Sequence, residues 1–555
     1  MHVPLAGGGQ ESLLSEVGSQ YLLPLFTTAE ACALRLVCQE FLAAVSEQPW
    51  EDEETIIQGS IGAWRGCFPR ALSANVSQYK WQTARRSAPV VDADFVHFQG
   101  LRVLDMRCCR SVTGAAFVHL RGIHTLHMDG CGQDGTITDA AFEHLHGIRE
   151  LTMDSCSQDS ITDAAFAHLC GIHTLSMNWC SQAGITDAAF AHLRGIHTLD
   201  MSHCTQAGIT DSAFVHLRGI HTLQIIGCEQ EGITDAAFAH LRGIRVLYMS
   251  GCNQAGVTDA AIANLRGIHT LHMAGCGQIT DTAFAHLHGI YSLGVNASSI
   301  TDAAFVHLRG IHTLDMSYCQ HITDAAFAHL SGIHTLDIRD CNQDTVTDAA
   351  FEHLHGIHTL DMSNCRQESI TDAAFAHLRG IHTLDMSSCD QDTITDAAFA
   401  HLQGIHALTM SECNQAGITD AAFAHLRGIH TLSMSRCWQD GITDAAFAHL
   451  CGIYTLDMSS CYQDGITDAA FEHLRGIHSL DVRGCGEAIT GSGFGHLVGI
   501  SKLTVSSAAL LGAAEALGLI VHNEEVDEDE DEDEGEGEGE GEGEGEGEGE
   551  GEGGW

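Results

Sequence analysis

From Val91 onward the chain alternates two apolar rhythms, one spaced for a helix and one for a strand, and the pair returns every 21 to 25 residues. The stretch "DAAFAHLRGIHTLDMSHC", Asp187 to Cys204, shows one cycle. Phe190 and Leu193 stand at helical spacing behind Thr186 and Asp187, residues whose side-chain oxygens accept from the unpaired N–H groups of a first helical turn. Gly195 then frees the backbone to leave the helix. In "IHTLDMS", Leu199 and Met201 alternate with Thr198, Asp200 and Ser202, which predicts a strand with one buried and one wet face. A loop of the form "CxQxGI" leads into the next helix.

With the Phe of "DAAF" as marker, the cycle occurs eighteen times between Phe95 and Phe494, with Ile262 in the place of Phe once. A single unit has one apolar face and cannot fold alone. Stacked units bury a continuous core of Ile, Leu, Met, Phe and Ala, each contributing one parallel strand. This spacing, with "LxM", a Cys three residues later and then "ITD", resembles the cysteine-containing leucine-rich repeat over about residues 91–505. The resemblance implies an α/β solenoid, a leucine-rich-repeat horseshoe of about 18 coils. The short helix of each unit departs from that subfamily and predicts a tighter convex layer.

All five prolines, from Pro4 to Pro89, precede the repeats, so the front of the chain is built differently. Within it, "YLLPLFTTAEACALRLVCQEFLAAVSEQPW", Tyr21 to Trp50, has helical apolar spacing at Leu34, Val37, Phe41 and Val45. Leu25-Phe26, a capped break at Thr27-Thr28, "LRLVCQEF" and the closing Trp50 resemble the F-box. Phe41 stands where that family commonly has Trp, and its opening "LPxE" is absent. The F-box is a small helical module that docks onto the Skp-type adaptor of cullin-RING ubiquitin ligases. The resemblance assigns adaptor contacts to Leu22, Leu23, Leu25 and Phe26 in the first helix, and to Leu34, Leu36, Val37 and Phe41 in the second. The expected organisation is a flexible N-terminus (1–20), an F-box-like helical module (21–50), a bridging region (51–90), the repeats (91–507), a C-terminal cap (508–522) and a disordered acidic Glu/Gly tail (523–555).

Charge narrows the partners. The formal net charge is -48, and removing the tail's 19 acidic residues still leaves 54 Asp+Glu against 25 Lys+Arg, a balance of -29. Such a surface repels nucleic-acid phosphate and anionic membrane, so neither is an expected partner; a basic target protein fits better. The start of the chain lacks the basic and apolar regions of a signal peptide, and no run of about 18 apolar residues occurs, which points to a cytoplasmic or nuclear protein that is not secreted. Sixteen of the 22 cysteines fall once per unit in a single column, a pattern of reduced, buried thiols accepting weak hydrogen bonds rather than a disulfide framework.

The histidines raise the question of metal. Seventeen lie two residues after the marker, on the helix face opposite Phe and Leu, and twelve lie seven after it, at the turn into the strand. Neither column converges with the cysteines, and members of one column lie about 5 Å apart, the strand spacing. Columns of this kind are scaffold, so no metal and no cofactor is expected. No G-x-S-x-G, P-loop, H-E-x-x-H or C-x-x-C pair occurs, so the chain is not expected to be an enzyme. The expected role is substrate recognition within an SCF-type ubiquitin ligase, or else an adaptor-free recognition scaffold.

Most outward strand positions are Thr, Asp or Ser, and the departures mark candidate target contacts. Gln224, Tyr248 and His272 share one strand position in consecutive units, with Ile226 beside them and Trp179 at the rim. A second candidate is the run Asp315, Asp337, Asp361 and Asp385, carboxylates about 5 Å apart that would attract a cationic segment. Aromatic side chains bury large area and anchor interfaces, whereas charge steers association.

Overall fold

The computed structural model describes residues 23, 26–35, 39–78, 89–132, 136–296, 299–519 and 521–522. Among the described residues twenty strands form one parallel sheet, running from Ser73–Asn75 to Val521–His522. Consecutive strands pair in register, as where Thr198, Leu199 and Asp200 face Thr222, Leu223 and Gln224. The sheet therefore begins one strand before the repeats, with Ser73–Asn75 beside Val103–Asp105, and ends one strand after them, with Val521–His522 beside Lys502–Thr504.

Each coil is leaner than its sequence pattern suggests. The strand is three residues, Thr198–Asp200, and the helix a single turn, Asp187–Phe190. Leu193 lies beyond that turn, yet it is 1% exposed. Tight backbone turns carry the chain past it: Leu193 N–H donates to Phe190 C=O at 3.0 Å, and Ile196 N–H to Leu193 C=O at 3.0 Å. In five of the described coils the turn is wholly 3₁₀, as at Asp468–His473 and Ser492–Leu497. Gly195, at φ +85°, makes the reversal into the strand, a backbone conformation that costs a β-carbon about 1–2 kcal/mol.

Side chains tie each coil to its neighbour. Thr186 caps its own helix by accepting from Ala188 N–H, while its N–H and hydroxyl both donate to the Asp163 carboxylate one coil back, each at 2.7 Å. This accounts for both letters of "TD". Removing the acceptor strands a half-buried N–H, so Asp372→Ala, which deprives Thr395 of two 2.7 Å bonds, is expected to cost about 1–3 kcal/mol in denaturant unfolding. An unchanged midpoint would show that water replaces the carboxylate without loss.

The loop letters have a similar explanation. Gln206 is 3% exposed, and its amide donates to Cys180 C=O of the preceding coil at 2.8 Å. Fifteen of the sixteen column cysteines are buried, Cys485 only partly, but their thiols donate where acceptance was expected: Cys204 Sγ–H is directed at Met177 C=O, 3.2 Å away. Burial pushes the Cys156 thiol up to about 12 and Cys276 up to about 11, so both stay protonated at neutral pH.

The front of the chain packs onto the first coils. Helix Thr28–Leu34 starts at a capping box between Thr27 and Glu30. Helix Gln39–Glu47 leads to Trp50, which is buried edge-on against Phe68 at 5.6 Å and donates its indole N–H to Val45 C=O at 2.8 Å. Helix Ile61–Cys67 follows, with Trp64 and Phe68 packed into the core.

Candidate functional site

The two groups of concave-face residues are one row. Strand register sets Gln224 beside Tyr248, Tyr248 beside His272, His272 beside Gly294, and Gly294 beside Asp315; Asp337, Asp361 and Asp385 follow in turn. Eight strands at about 4.8 Å give a line of about 34 Å, aromatic at one end and acidic at the other. Gly294 makes the join. A β-carbon there would meet the His272 ring, so the ring lies over the glycine, and it stacks on Tyr248 with centroids 4.9 Å apart. Burial lowers the His272 pKa, against a smaller upward pull from Asp315, and favours the neutral ring.

The acidic end is partly compensated. Arg339 reaches from the next outward position to bridge Asp337 at 2.8 Å and Asp361 at 3.3 Å. Four carboxylates and one guanidinium leave three net negative charges along the run. Burial raises the pKa of Asp337 and Asp361 despite their hydrogen bonds to Arg339 and Ser363. Asp315 accepts from Ser317 N–H, and Asp385 from Ser387 N–H and hydroxyl, which aim the carboxylates along the face.

Trp179 stands apart from this row. It is 59% exposed beyond its strand, adopts φ +57°, and stacks on His203 at 4.1 Å, three coils from Tyr248. Ile226 is half-buried between them, its C=O accepting from His203 N–H. Sequence reasoning missed Arg339, Gly294 and His203. Arg339 and Gly294 were visible as departures in columns whose commonest residues are Ser and Asp.

Of the N-terminal residues, Leu23 is 2% exposed and faces the chain's own core, and Leu34 packs on that core. Phe41 is half-buried, and Phe26 is 38% exposed at the mouth of a 540 Å³ cleft that includes Trp50 and Asp52. Leu22, Leu25, Leu36 and Val37 lie outside the described residues.

The two histidine columns are separate surfaces. On the convex side an arginine of one coil donates to the histidine of the next, as Arg194 does to His216 Nδ1 at 3.2 Å and Arg379 to His401 Nδ1 at 3.3 Å. At the entry to the strands the rings stack face to face, with spacings of 4.4 to 4.7 Å from His269 to His478. Among the described residues no three His, Cys, Asp or Glu side chains converge as metal ligands. No described helix is long and apolar enough to cross a membrane.

No protein-family model matches the chain, and no curated protein matches its sequence. Solved structures do match the fold. The complex of TLR13 with ssRNA13 gives a TM-score of 0.54 at 17% identity, over 80% of this chain and 67% of that one. The Drosophila Toll–Spatzle complex gives 0.50 at 14% identity, over 75% of this chain and 59% of that one. The fold is a leucine-rich-repeat solenoid. At these identities the likeness covers architecture alone.

Proposed function

We propose that this chain is the substrate-recognition subunit of a cullin-RING (SCF-type) ubiquitin ligase, holding a target protein on its concave row while the F-box-like front binds a Skp-type adaptor. The observation that carries the recognition half is the continuous line from Gln224 to Asp385, where a half-buried aromatic anchor and a carboxylate run share one face. The target it suits is a protein with an apolar or aromatic protrusion and, about 15–25 Å along, a basic segment. That acidic end opposes phosphate, so the RNA named with TLR13 is not carried over. The chain has no part in ubiquitin chemistry, which other subunits supply, and it needs no cofactor or metal.

Recovery of adaptor and cullin with the purified full chain tests the ligase half. A second reading, an adaptor-free interaction scaffold with a decayed F-box, draws support from Leu23 and Leu34, which spend their apolar surface on the chain's own core. Failure to recover adaptor while target binding persists selects it.

The row predicts its own kinetics. Tyr248→Ala should weaken target binding by about 1 kcal/mol or more, mainly through faster release, because an aromatic anchor is lost. Replacing Asp315 and Asp385 with Asn should instead slow association and flatten its salt dependence. Surface-binding kinetics with the captured target distinguish the two effects, and a target indifferent to Tyr248 and Ile226 would place recognition elsewhere.

A further inference from the structure

The strand-entry column forms a longer object than its histidines alone suggest. Tyr291 and Tyr454 fill the same place, so His269, Tyr291, His312, His334, His358, His382, His406, His430, Tyr454 and His478 stack without a break, nine contacts of 4.4 to 4.7 Å spanning about 41 Å. Arg245 stands in the column before His269 and separates it from a shorter stack of His173, His197 and His221. The rings are exposed or half-exposed. Around His312 the chain neighbours are Gly310, Ile311 and Thr313, all uncharged, and Nδ1 lies 3.2 Å from the Thr313 hydroxyl. Arg309, three residues earlier, is directed at His329 on the convex side. The charges that act on His334 and His382 are those of the adjacent rings, with no carboxylate contributing.

Protonation meets two opponents, first the desolvation of the ring and then the charge of the next ring, and both hold His334 and His382 below the ordinary imidazole range. Two charges about 4.5 Å apart repel by roughly 1 kcal/mol in water, so alternate rings gain protons first and a bound polyanion would let the rest follow. The whole body changes sign on the same step: 54 Asp+Glu against 25 Lys+Arg gives -29, and 38 charged histidines would bring it to +9. The tail beyond His522 holds no histidine and keeps its 19 acidic residues. It also starts at the right end. His478 precedes strand Ser479–Asp481, which is two strands from Val521–His522, so the tail begins about 10 Å across the sheet and about 13 Å along the strand direction from the stack. Its 33 residues, 523–555, reach up to about 110 Å, more than twice the length of the stack.

We propose that the ring stack from His269 to His478 is an acid-dependent docking strip for the chain's own tail, residues 523–555. At neutral pH the body repels the tail; as pH falls through the imidazole range the strip becomes a line of positive charge that the tail follows. The strip begins three residues before the concave row in each coil, so a docked tail lies alongside the Asp315 to Asp385 run. Acid would then bring a competing polyanion to the edge of the target site.

The test uses the full ¹⁵N-labelled chain, comparing tail glycine amide signals at pH about 7.5 and about 5.5. Slower exchange with water at the lower pH would by itself strengthen these signals. Docking predicts that they weaken by about half or more in the wild type, reversibly, and stay strong in a variant carrying His334→Gln, His358→Gln, His382→Gln and His406→Gln. A second variant with the tail's Glu536 to Glu552 changed to Gln leaves the strip intact and should also keep its signals, which covers the case of a misfolded first variant. Unweakened wild-type signals overturn docking. Equal weakening in the wild type and the histidine variant overturns the strip as its site, and weakening already complete at pH about 7.5 points to the convex arginines instead.

Discussion

Phe375→Ala is expected to lower the unfolding free energy by about 3–5 kcal/mol, the cost of emptying a ring-sized site in a core that cannot collapse around it. Phe375 is fully buried, and the same place is held by Phe351 and Phe399 in the coils on either side. In a solenoid each coil contacts only its neighbours, so the cavity lies in the coupling between two halves and not in one corner of a globule. Denaturant unfolding should accordingly shift to lower midpoint and lose cooperativity, with the segments before and after the cavity separating into two transitions. Phe375→Ile should cost less, because Ile262 occupies this column and is itself fully buried. A loss under about 1 kcal/mol for Phe375→Ala would mean that adjacent coils close over the gap, and that the column is looser than its burial implies.

The repeat itself was legible in the sequence because its cause is local. Leu199 and Met201 are buried and Thr198 and Asp200 are not, as period-two alternation requires, but Ser202, read as wet, lies past the strand end and is buried. Thr186 is the cap, and Gly195 makes the left-handed turn. Contacts between coils were harder to read. The Asp163 carboxylate meets Thr186 23 residues later, and Gln206 meets Cys180 26 residues earlier, pairings that exist only once the stacking register is known. The same blindness split the concave row. Asp315 and His272 read as separate clusters because the shorter unit around Gly294 interrupts the pattern, although register shows that the glycine is the place where His272 lies down. Trp179 was grouped with Tyr248 by residue type; counting strands sets them three coils apart.

Leu25→Asp and Val37→Asp are each expected to weaken adaptor binding by at least about 2 kcal/mol and together to remove the adaptor from the purified complex, with the repeat array intact. A helical docking module works by presenting apolar side chains that its own core does not use. Leu23 fails that condition at 2% exposure, so Leu23→Asp would disturb folding and say nothing about docking. Phe26 and Leu42 meet it, at 38% and 40% exposure on the same module, and show that apolar surface is left over there after the chain has packed. Leu25 adjoins Phe26 in "LPLF", and Val37 belongs to "LRLVC", the two strings on which the F-box resemblance rests. An aspartate in either place forces a carboxylate to lose water against an apolar partner without a counter-charge. The array is read separately, by circular dichroism and by the retained effect of Tyr248→Ala on target binding. If both aspartate variants bring down adaptor and cullin as the wild type does, the front of the chain is a cap on the first coil, and whatever the concave row holds is held for another purpose.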